Sequence, residues 1–219
     1  FENFILFADT AVGPAKILAK NHQYLGVNRA VDAVERRESL KGKLGVFWHT
    51  QGSGKSFSMA LFTQKVHRKL GGDYTFVVLT DRTDLDNQIY KTFSSVGLAN
   101  NDKDPCRAGS AVGLRDLLGK QKKVVFAMIQ KFTDAQAEGG VYSDRDNVIV
   151  MTDEAHRTQY STLALNMRKG LPNASFIGFT GTPLFGNDEI TKKVFGEYLS
   201  TYDFQDAILD GATLPLFYD

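Results

Sequence analysis

The chain has 219 residues, of which 42% are apolar and 23% charged, and its formal net charge is +1. It is long enough to bury a full core, so we expect one large domain, and its balanced charge argues neither for nor against a nucleic-acid partner. The single cysteine, Cys106, excludes an internal disulfide and a thiolate metal cluster.

The sequence shows no sign of membrane insertion or export. No apolar run approaches the roughly 18 residues of a membrane span, and residues 1–7 lack the charged start and the cleavage site of a signal peptide. We therefore expect a cytoplasmic protein with no membrane partner. The start without methionine and the abrupt end predict a piece of a longer protein.

The first 42 residues are predicted to be helical. Pro14 suits the start of one short helix, and Gln23 to Leu40 form a second pattern rich in Ala, Val, Glu and Arg. The segment that follows, Leu44 to Trp48, is an unbroken apolar run typical of a buried parallel strand. A long helix should begin at Lys55 and continue to about Leu70.

The remainder of the chain alternates between strand and helix patterns. Four further strands are predicted: Tyr74 to Thr80, Lys123 to Ile129, Val148 to Thr152 and Ser175 to Thr180. The helices between them are Thr83 to Ser95 with Thr83 or Asp84 as its cap, Ala111 to Leu118, and His156 to Lys169. The tail should add a helix from Asp188, another at Tyr202 to Asp210, and a last strand at Thr213 to Tyr218. This alternation predicts an α/β fold with a mainly parallel sheet, helices on both faces, and ligands at the carboxyl ends of the strands.

A phosphate-binding loop is predicted between the first strand and the long helix. Its glycines let backbone N–H groups converge on an anion, the helix N-terminus adds positive charge, and Lys55 can reach the β and γ phosphates. Ser56 is placed to ligate Mg²⁺. The full pattern G-x-x-x-x-G-K-[ST] has glycine where this chain has His49, so the loop is a variant, and the alternative is a flexible Gly-Ser turn with a solvated lysine. The candidate nucleotide-binding residues are Thr50, Gln51, Gly52, Ser53, Gly54, Lys55 and Ser56.

A second motif lies about a hundred residues downstream. The stretch Asn147 to His156 reads NVIVMTDEAH, an apolar β-branched run that ends in two adjacent carboxylates. Asp153, at a strand's end, suits a Mg²⁺ ligand, and Glu154 can orient or deprotonate a water molecule. The two motifs together predict a site for ATP and Mg²⁺.

Taken in order, GSGKS, DEAH at Asp153 to His156 and TGTP at Thr180 to Pro183 resemble the first motor domain of superfamily 2 helicases and translocases. The stretches NHQY, TDRTDLDNQ and FIGFTGTP, with the tail from Val194, extend this to a resemblance, over essentially the whole chain, to the motor portion of the R subunit of type I restriction enzymes. The resemblance implies a RecA-like P-loop NTPase fold. It divides the chain into an amino-terminal helical segment with an adenine-reading motif, residues 1–42, and a first motor domain, residues 43–219.

Several roles follow from the resemblance alone. Gln23 would read the adenine, His156 would lie between the nucleotide and a partner domain, and Thr180 and Thr182 would link hydrolysis to motion. Each has a plainer alternative: a surface glutamine, a core histidine, and ordinary turn chemistry before Pro183.

Contacts to DNA are predicted from position and charge. Residues 16–43 hold seven basic and three acidic residues, and residues 119–133 hold four lysines and no acid, although such runs are commonly solvated faces. Arg82, Gln130 and Lys131 lie just past strand ends, where related motors touch a nucleic-acid backbone; each could equally be a solvated surface residue.

The resemblance also implies that a second motor domain would supply a catalytic arginine. If it did not, Arg157 and Arg168 would be the first alternatives within this chain.

The resemblance implies hydrolysis of Mg-ATP to translocate double-stranded DNA before cleavage, with the specificity and methylation subunits of the restriction complex as partners. The nuclease site is expected elsewhere in the parent protein, and this piece alone should be nearly inactive. The alternatives are a stand-alone superfamily 2 helicase or remodelling motor, or a nucleotide-dependent binding module without turnover.

Overall fold

A computed structural model describes residues 2–100, 102–132, 140–153, 160–182 and 189–212. The strands are β1 Ile5–Thr10, β2 Gly13–Leu18, β3 Lys43–His49, β4 Thr75–Thr80, β5 Val124–Met128, β6 Val148–Thr152, β7 Ser175–Thr180 and β8 Tyr198–Tyr202. The α-helices are α1 Asn21–Glu35, α2 Lys55–Lys69, α3 Thr83–Ser95, α4 Ala111–Gly119, α5 Tyr160–Gly170, α6 Glu189–Phe195 and α7 Phe204–Leu209. None of these helices has the length and apolar character needed to cross a bilayer.

Six strands form one parallel sheet in the order β5-β4-β6-β7-β3-β8. The three strands β4, β6 and β7 are buried along their whole length, as expected for strands covered on both faces. Because every strand runs the same way, all six carboxyl ends meet at one edge of the sheet. The predicted α/β fold with a mainly parallel sheet is confirmed.

Apolar side chains cover both faces of the sheet. On one face, Phe47 and Phe76 of the sheet join Phe62 of α2 in a buried cluster that also takes in α1 and α3. On the other face, α4, α5 and α6 bury residues such as Leu114 and Met167 against the opposite sides of the same strands. Each fully buried side chain of this size stabilises the fold by about 1.5–3 kcal/mol. The prediction of helices on both faces is therefore also confirmed.

The prediction of a helical amino-terminal segment was wrong for residues 5–18, which form an antiparallel hairpin, and right for its second helix, which is α1. Burial alternates along both hairpin strands, which is the period of a strand and not of a helix. Gly13 supplies the turn with a φ of 112°, and Pro14, opposite Asp9, stands near the start of β2, where its missing N–H costs little. The helix that follows ends at Glu35, five residues before the predicted Leu40.

The carboxyl-terminal region contains a strand that the sequence did not predict. Strand β8 takes the free side of β3 at the edge of the sheet, so that β3 lies between β7 and β8. The helix predicted from Tyr202 to Asp210 is the shorter α7, capped by the Asp203 carboxylate, which accepts from the Asp206 N–H at 2.9 Å. The strand predicted at residues 213–218 lies outside the described residues.

The other elements begin and end within about two residues of the predicted positions, except that the start of α5 falls beside residues that are not described. Helix α3 matches its predicted bounds. Its N-cap, however, is Arg82 and not Thr83 or Asp84, and no side chain caps it.

Candidate nucleotide-binding site

The predicted phosphate loop connects β3 to α2 at the carboxyl edge of the sheet. Gly52 and Gly54 have φ values of 82° and 85°, in the left-handed region that favours glycine. Gly54 is also the N-cap of α2, and a Cβ atom there would lie 2.9 Å from Nε2 of Gln23. The loop therefore directs the N-terminus of a 15-residue helix toward the surface, which is the geometry of an anion site.

Lys55, the first residue of α2, extends its ammonium group across the mouth of the loop. Its Nζ donates to the carbonyl oxygens of His49 at 3.1 Å and Thr50 at 3.4 Å. Gly181, just past the end of β7, passes so close that a Cβ there would lie 3.3 Å from the same Nζ. The phosphate loop and the Thr180–Thr182 segment are thus direct neighbours.

The Thr180–Thr182 segment is folded by its own side chain. The Thr180 hydroxyl donates to the Thr182 carbonyl oxygen at 3.0 Å and accepts from the Thr182 N–H at 3.2 Å. Thr180 itself is completely buried, whereas Thr182 lines the cavity described below. The sequence-predicted pair therefore shares one turn, but only Thr182 faces the site.

Asp153 follows β6 directly, and its backbone N–H donates to the carbonyl oxygen of Leu79 at 3.0 Å. It lines a cavity of about 640 Å³ together with residues of the phosphate loop. Ser56 lines the same cavity, so a hydroxyl and a carboxylate, the hard oxygen ligands that Mg²⁺ prefers, share one space with the ammonium of Lys55. These residues fit a magnesium–triphosphate group. The whole lining comprises Gln51, Gly52, Gly54, Lys55, Ser56, Phe57, Arg82, Leu85, Gln88, Ile89, Thr92, Asp153, Gly181 and Thr182.

One wall of this cavity was not predicted. It is formed by α3, with Leu85, Gln88, Ile89 and Thr92 at helical spacing along a single face. The only sign of this wall in the sequence is the polar stretch TDRTDLDNQ, residues 80–88, which follows the second predicted strand and contains Leu85 and Gln88. Other predicted residues, namely Glu154, His156, Arg157 and Pro183, lie outside the described part of the chain.

The three DNA candidates cluster near the ends of β4 and β5. Arg82 lines the cavity, and its guanidinium lies 3.4 Å from the carboxylate of Asp84 in an exposed ion pair. The Gln130 amide donates to the carbonyl oxygen of Asp81 at 3.0 Å, which links the two strand ends. Lys131 follows on a 3₁₀ turn, and its carbonyl oxygen accepts from the Tyr142 hydroxyl at 2.6 Å.

Gln23 lies in the first turn of α1, and only 4% of it is exposed. Its Oε1 accepts from the backbone N–H of Lys20 at 2.9 Å, and its Nε2 donates to the carbonyl oxygen of Gly54 at 3.0 Å. The amide therefore ties the start of α1 to the phosphate loop.

His49, the residue that departs from the usual loop pattern, is completely buried. Its Nε2 lies 2.8 Å from the hydroxyl of Ser200 on β8. His22 lies next to it, with Nε2 3.0 Å from the Ser53 carbonyl oxygen, and its ring stacks on Tyr202 at 3.8 Å. Burial, with smaller contributions from the charges of His22 and Lys55, lowers the pKa of His49 to about 3. Burial also lowers the pKa of His22, so both rings are neutral near pH 7.

Arg168 is far from this site. Its guanidinium donates to the carbonyl oxygens of Val194 and Gly42 and lies 4.4 Å from the ring centroid of Phe176. Gly42 precedes β3 and Phe176 is near the start of β7, so Arg168 lies at the amino edge of the sheet, opposite the phosphate loop. It cannot act as a catalytic arginine on a nucleotide bound there.

Comparison with known proteins finds relatives among the endonuclease subunits of type I restriction enzymes. The chain is 44% identical over 236 aligned residues to the type I restriction enzyme HindI endonuclease subunit of Haemophilus influenzae, an alignment that covers 99% of this chain and 22% of that subunit. It is 39% identical over 214 residues to the putative type I restriction enzyme MjaIXP endonuclease subunit of Methanocaldococcus jannaschii, covering 93% of this chain and 20% of that subunit. The chain thus spans about a fifth of the length of these curated relatives.

Two solved structures share the fold at low sequence identity. A nuclease-deletion mutant of the Type ISP restriction-modification enzyme LlaGI, in complex with a DNA substrate mimic, aligns with a TM-score of 0.61 at 17% identity, over 90% of this chain and 21% of that one. The Pyrococcus furiosus Hef helicase domain aligns with a TM-score of 0.54 at 18% identity, over 77% of this chain and 37% of that one. The fold is therefore the RecA-like fold of helicase motors. The SWI2/SNF2 ATPase family profile matches residues 22–219, and the chain belongs to that family.

Proposed function

We propose that this chain binds and hydrolyses Mg-ATP as the first motor domain of a type I restriction enzyme endonuclease subunit, a cytoplasmic motor that translocates double-stranded DNA. The observation that carries the proposal is the shared cavity in which Lys55, Ser56 and Asp153 meet at the N-terminus of α2. The similarity to endonuclease subunits of type I restriction enzymes supports the choice of DNA as the track.

The residues of this site would have separate roles in phosphoryl transfer. The loop N–H groups and the Lys55 ammonium would offset the charge of the β and γ phosphates, and Ser56 and Asp153 would hold Mg²⁺, which would supply positive charge against the charge that develops on the phosphates. Glu154, the next residue after Asp153, would orient the attacking water molecule and accept its proton. A carboxylate in that position acts as a general base, which an amide cannot do.

Two further parts of the proposal concern the base and the coupling to motion. Gln23 would contact the adenine through the edge of its amide while remaining bonded to Gly54. Thr182 lines the cavity and Thr180 is bonded to it, so a change at the γ phosphate of a bound nucleotide would be passed to the end of β7. His156 would carry that change to a second motor domain.

The proposed DNA contacts are Arg82, Gln130 and Lys131. They would bind the phosphate backbone, so the interaction should be independent of sequence and weaken steeply with salt. Recognition of a DNA sequence would belong to the specificity subunit, acting with the methylation subunit in the assembled complex.

The test is phosphate release by this chain alone and by the full-length subunit, each with and without linear double-stranded DNA at low salt. The chain alone should bind ATP yet hydrolyse it very slowly, because closure with a second domain excludes water and brings an arginine worth about 10³ to 10⁵ in rate. The full-length subunit should turn over ATP in response to DNA. Failure of both proteins to bind ATP would refute the proposed function, and DNA-stimulated turnover of about one per second by this chain alone would refute the sharing of catalysis.

A further inference from the structure

Three buried aromatic side chains that do not line the cavity pack behind the phosphate loop. They are His22 at the start of α1, His49 at the end of β3 and Tyr202 at the end of β8, and they are 7%, 0% and 4% exposed. The His22 ring lies 3.8 Å from the Tyr202 ring at an interplanar angle of 19° and 5.2 Å from the His49 ring at 80°. His49 and Tyr202 are 5.9 Å apart at 62°. We call these three residues the loop-support cluster.

Each member of the loop-support cluster also bonds to the loop or carries one of its ends. The Nε2 of His22 lies 3.0 Å from the Ser53 carbonyl oxygen, and because that oxygen can only accept, the ring must donate. The Tyr202 carbonyl oxygen accepts from the backbone N–H of Thr50 at 2.9 Å. His49 immediately precedes the loop, and its carbonyl oxygen accepts from Lys55. The cluster therefore fixes the loop at its beginning, in its middle and at its lysine.

The position of His49 explains why glycine is not needed there. His49 continues β3 and pairs with Tyr202 of β8, and the only non-glycine residues described with positive φ are Lys41 and Gln121. Because the backbone at position 49 does not need a positive φ, a residue with a large side chain fits there. The His49 ring lies 5.1 Å from the ring of Phe47 and 2.8 Å from the hydroxyl of Ser200. The side chain fills the space between β3, α1 and β8.

We propose that His22, His49 and Tyr202 are positioning residues for triphosphate binding, which hold the loop in its phosphate-binding shape through Ser53 and Thr50. This rests on the proposed function, since it assumes that a nucleoside triphosphate occupies the loop. The His22 ring bonds to the loop backbone, His49 and Tyr202 accept from Lys55 and Thr50 through their own carbonyl oxygens, and none of the three side chains lines the cavity that would hold a nucleotide. Loss of the cluster should therefore weaken the binding of ATP, GTP and inorganic tripolyphosphate to the same degree.

The experiment is calorimetric measurement of the dissociation constants of these three compounds with Mg²⁺, for wild type, His22→Ala and His49→Gly. Both variants should bind all three about five- to tenfold more weakly, the loss expected when a buried hydrogen bond, to Ser53 for His22 and to Ser200 for His49, and the ring contacts behind the loop are removed. The result for His49→Gly is the sharper one, because that change restores the common loop sequence and yet should lower affinity. Equal or tighter binding by His49→Gly would overturn the proposal.

His67→Ala is the matched control for loss of stability. His67 is another histidine with lowered pKa, and its ring meets Phe76 edge-on at 5.3 Å. It lies twelve residues along α2 from Lys55, roughly 18 Å away. His67→Ala should lower the midpoint of thermal unfolding but leave all three dissociation constants unchanged. If it weakened binding as much as His22→Ala does, the cluster would be a packing feature only.

His22→Gln tests the donor directly, since its amide nitrogen can replace Nε2 toward Ser53 without the ring. Recovery to within about twofold of wild type would support positioning through that bond, whereas affinity no better than that of His22→Ala would overturn it. Lys55→Ala separates this inference from the proposed function. If wild type binds tripolyphosphate, Lys55→Ala does not, and the histidine variants bind like wild type, only the inference fails. If wild type binds none of the three compounds, the proposed function fails.

Discussion

Acidification should destabilise this chain through His49. The folded protein holds the pKa of this imidazole at about 3, against the usual 6.5. At pH 5 the unfolded chain therefore carries a proton on nearly every copy of this residue, while the folded chain carries almost none. Because the folded pKa is depressed, the stabilisation is complete above pH 6.5 and is lost as the pH falls toward 3.

The loss of free energy of unfolding between pH 7 and pH 5 should be about 2 kcal/mol from this residue alone. His22 and His67, whose pKa values are also lowered, add to the total slope, so the measurement is a difference between variants. His49→Gln keeps a hydrogen-bonding partner for Ser200 and does not titrate in this range. It should lose about 2 kcal/mol less than wild type over the same two pH units.

Chemical denaturation at pH 7 and pH 5 measures this, and the single tryptophan, Trp48, is well placed to report it because it is next to His49 and lies 5.8 Å from the ring of Tyr198. Equal pH dependence in wild type and His49→Gln would refute the reasoning. It would mean either that the protonated ring is tolerated in the folded protein or that water reaches it.

Other substitutions test the phosphate loop. Lys55→Ala should weaken Mg-ATP binding at least tenfold, because a charge-assisted bond is worth about 1.5–3 kcal/mol, and calorimetry showing unchanged affinity would contradict the loop assignment. Gly54→Ala and the control Gly71→Ala, whose φ values are 85° and 64°, should each cost about 1–2 kcal/mol in denaturation, but only the first should weaken ATP binding, because only its Cβ meets a neighbour. Gln23→Ala should weaken the binding of tripolyphosphate by about 0.5–1.5 kcal/mol, because the hydrogen bond to Gly54 is lost. If Gln23 reads adenine, the binding of ATP should weaken more than the binding of GTP. Equal losses of affinity for the two nucleotides would exclude base reading. Glu154→Gln in the full-length subunit should keep nucleotide affinity and lose turnover in single-turnover assays, whereas wild-type rates would require another base.

The sequence predicted the parts of the fold that depend on local patterns. The strands β4, β6 and β7 are composed mainly of apolar residues, which predicts that they are buried. The glycines of the phosphate loop allow the positive φ values that its turn requires. Strand β8 could not be found in this way. Its YLSTY segment has only three apolar residues, and it becomes a strand because the open edge of β3 is available to it.

In the candidate site, too, the residues that follow from local motifs were predicted, and those that depend on contacts between distant segments were not. Lys55, Ser56 and Asp153 were placed together because parallel strands bring their carboxyl ends to one edge of the sheet. The roles of His22 and Tyr202 depend on residues about 150 to 180 positions apart that meet only after folding, and no local spacing reports such a contact. The hairpin is not predicted because each of its strands has only six residues and Pro14 suits the start of a helix as well as the start of a strand.

The position of β3 between β7 and β8 affects how the chain folds during its synthesis on the ribosome. Both neighbours are encoded more than a hundred residues after β3, as the pairings of Val46 with Gly178 and Phe47 with Ser200 show. At about 5–20 residues per second, the strand that leads into the proposed phosphate loop emerges on the order of ten seconds before either neighbour exists. During that interval β3 exposes two unpaired apolar edges, which is the condition that favours aggregation. Nascent chains stalled before Tyr198 should therefore depend on chaperones and fail to retain nucleotide, and competence should appear only once β8 has left the exit tunnel.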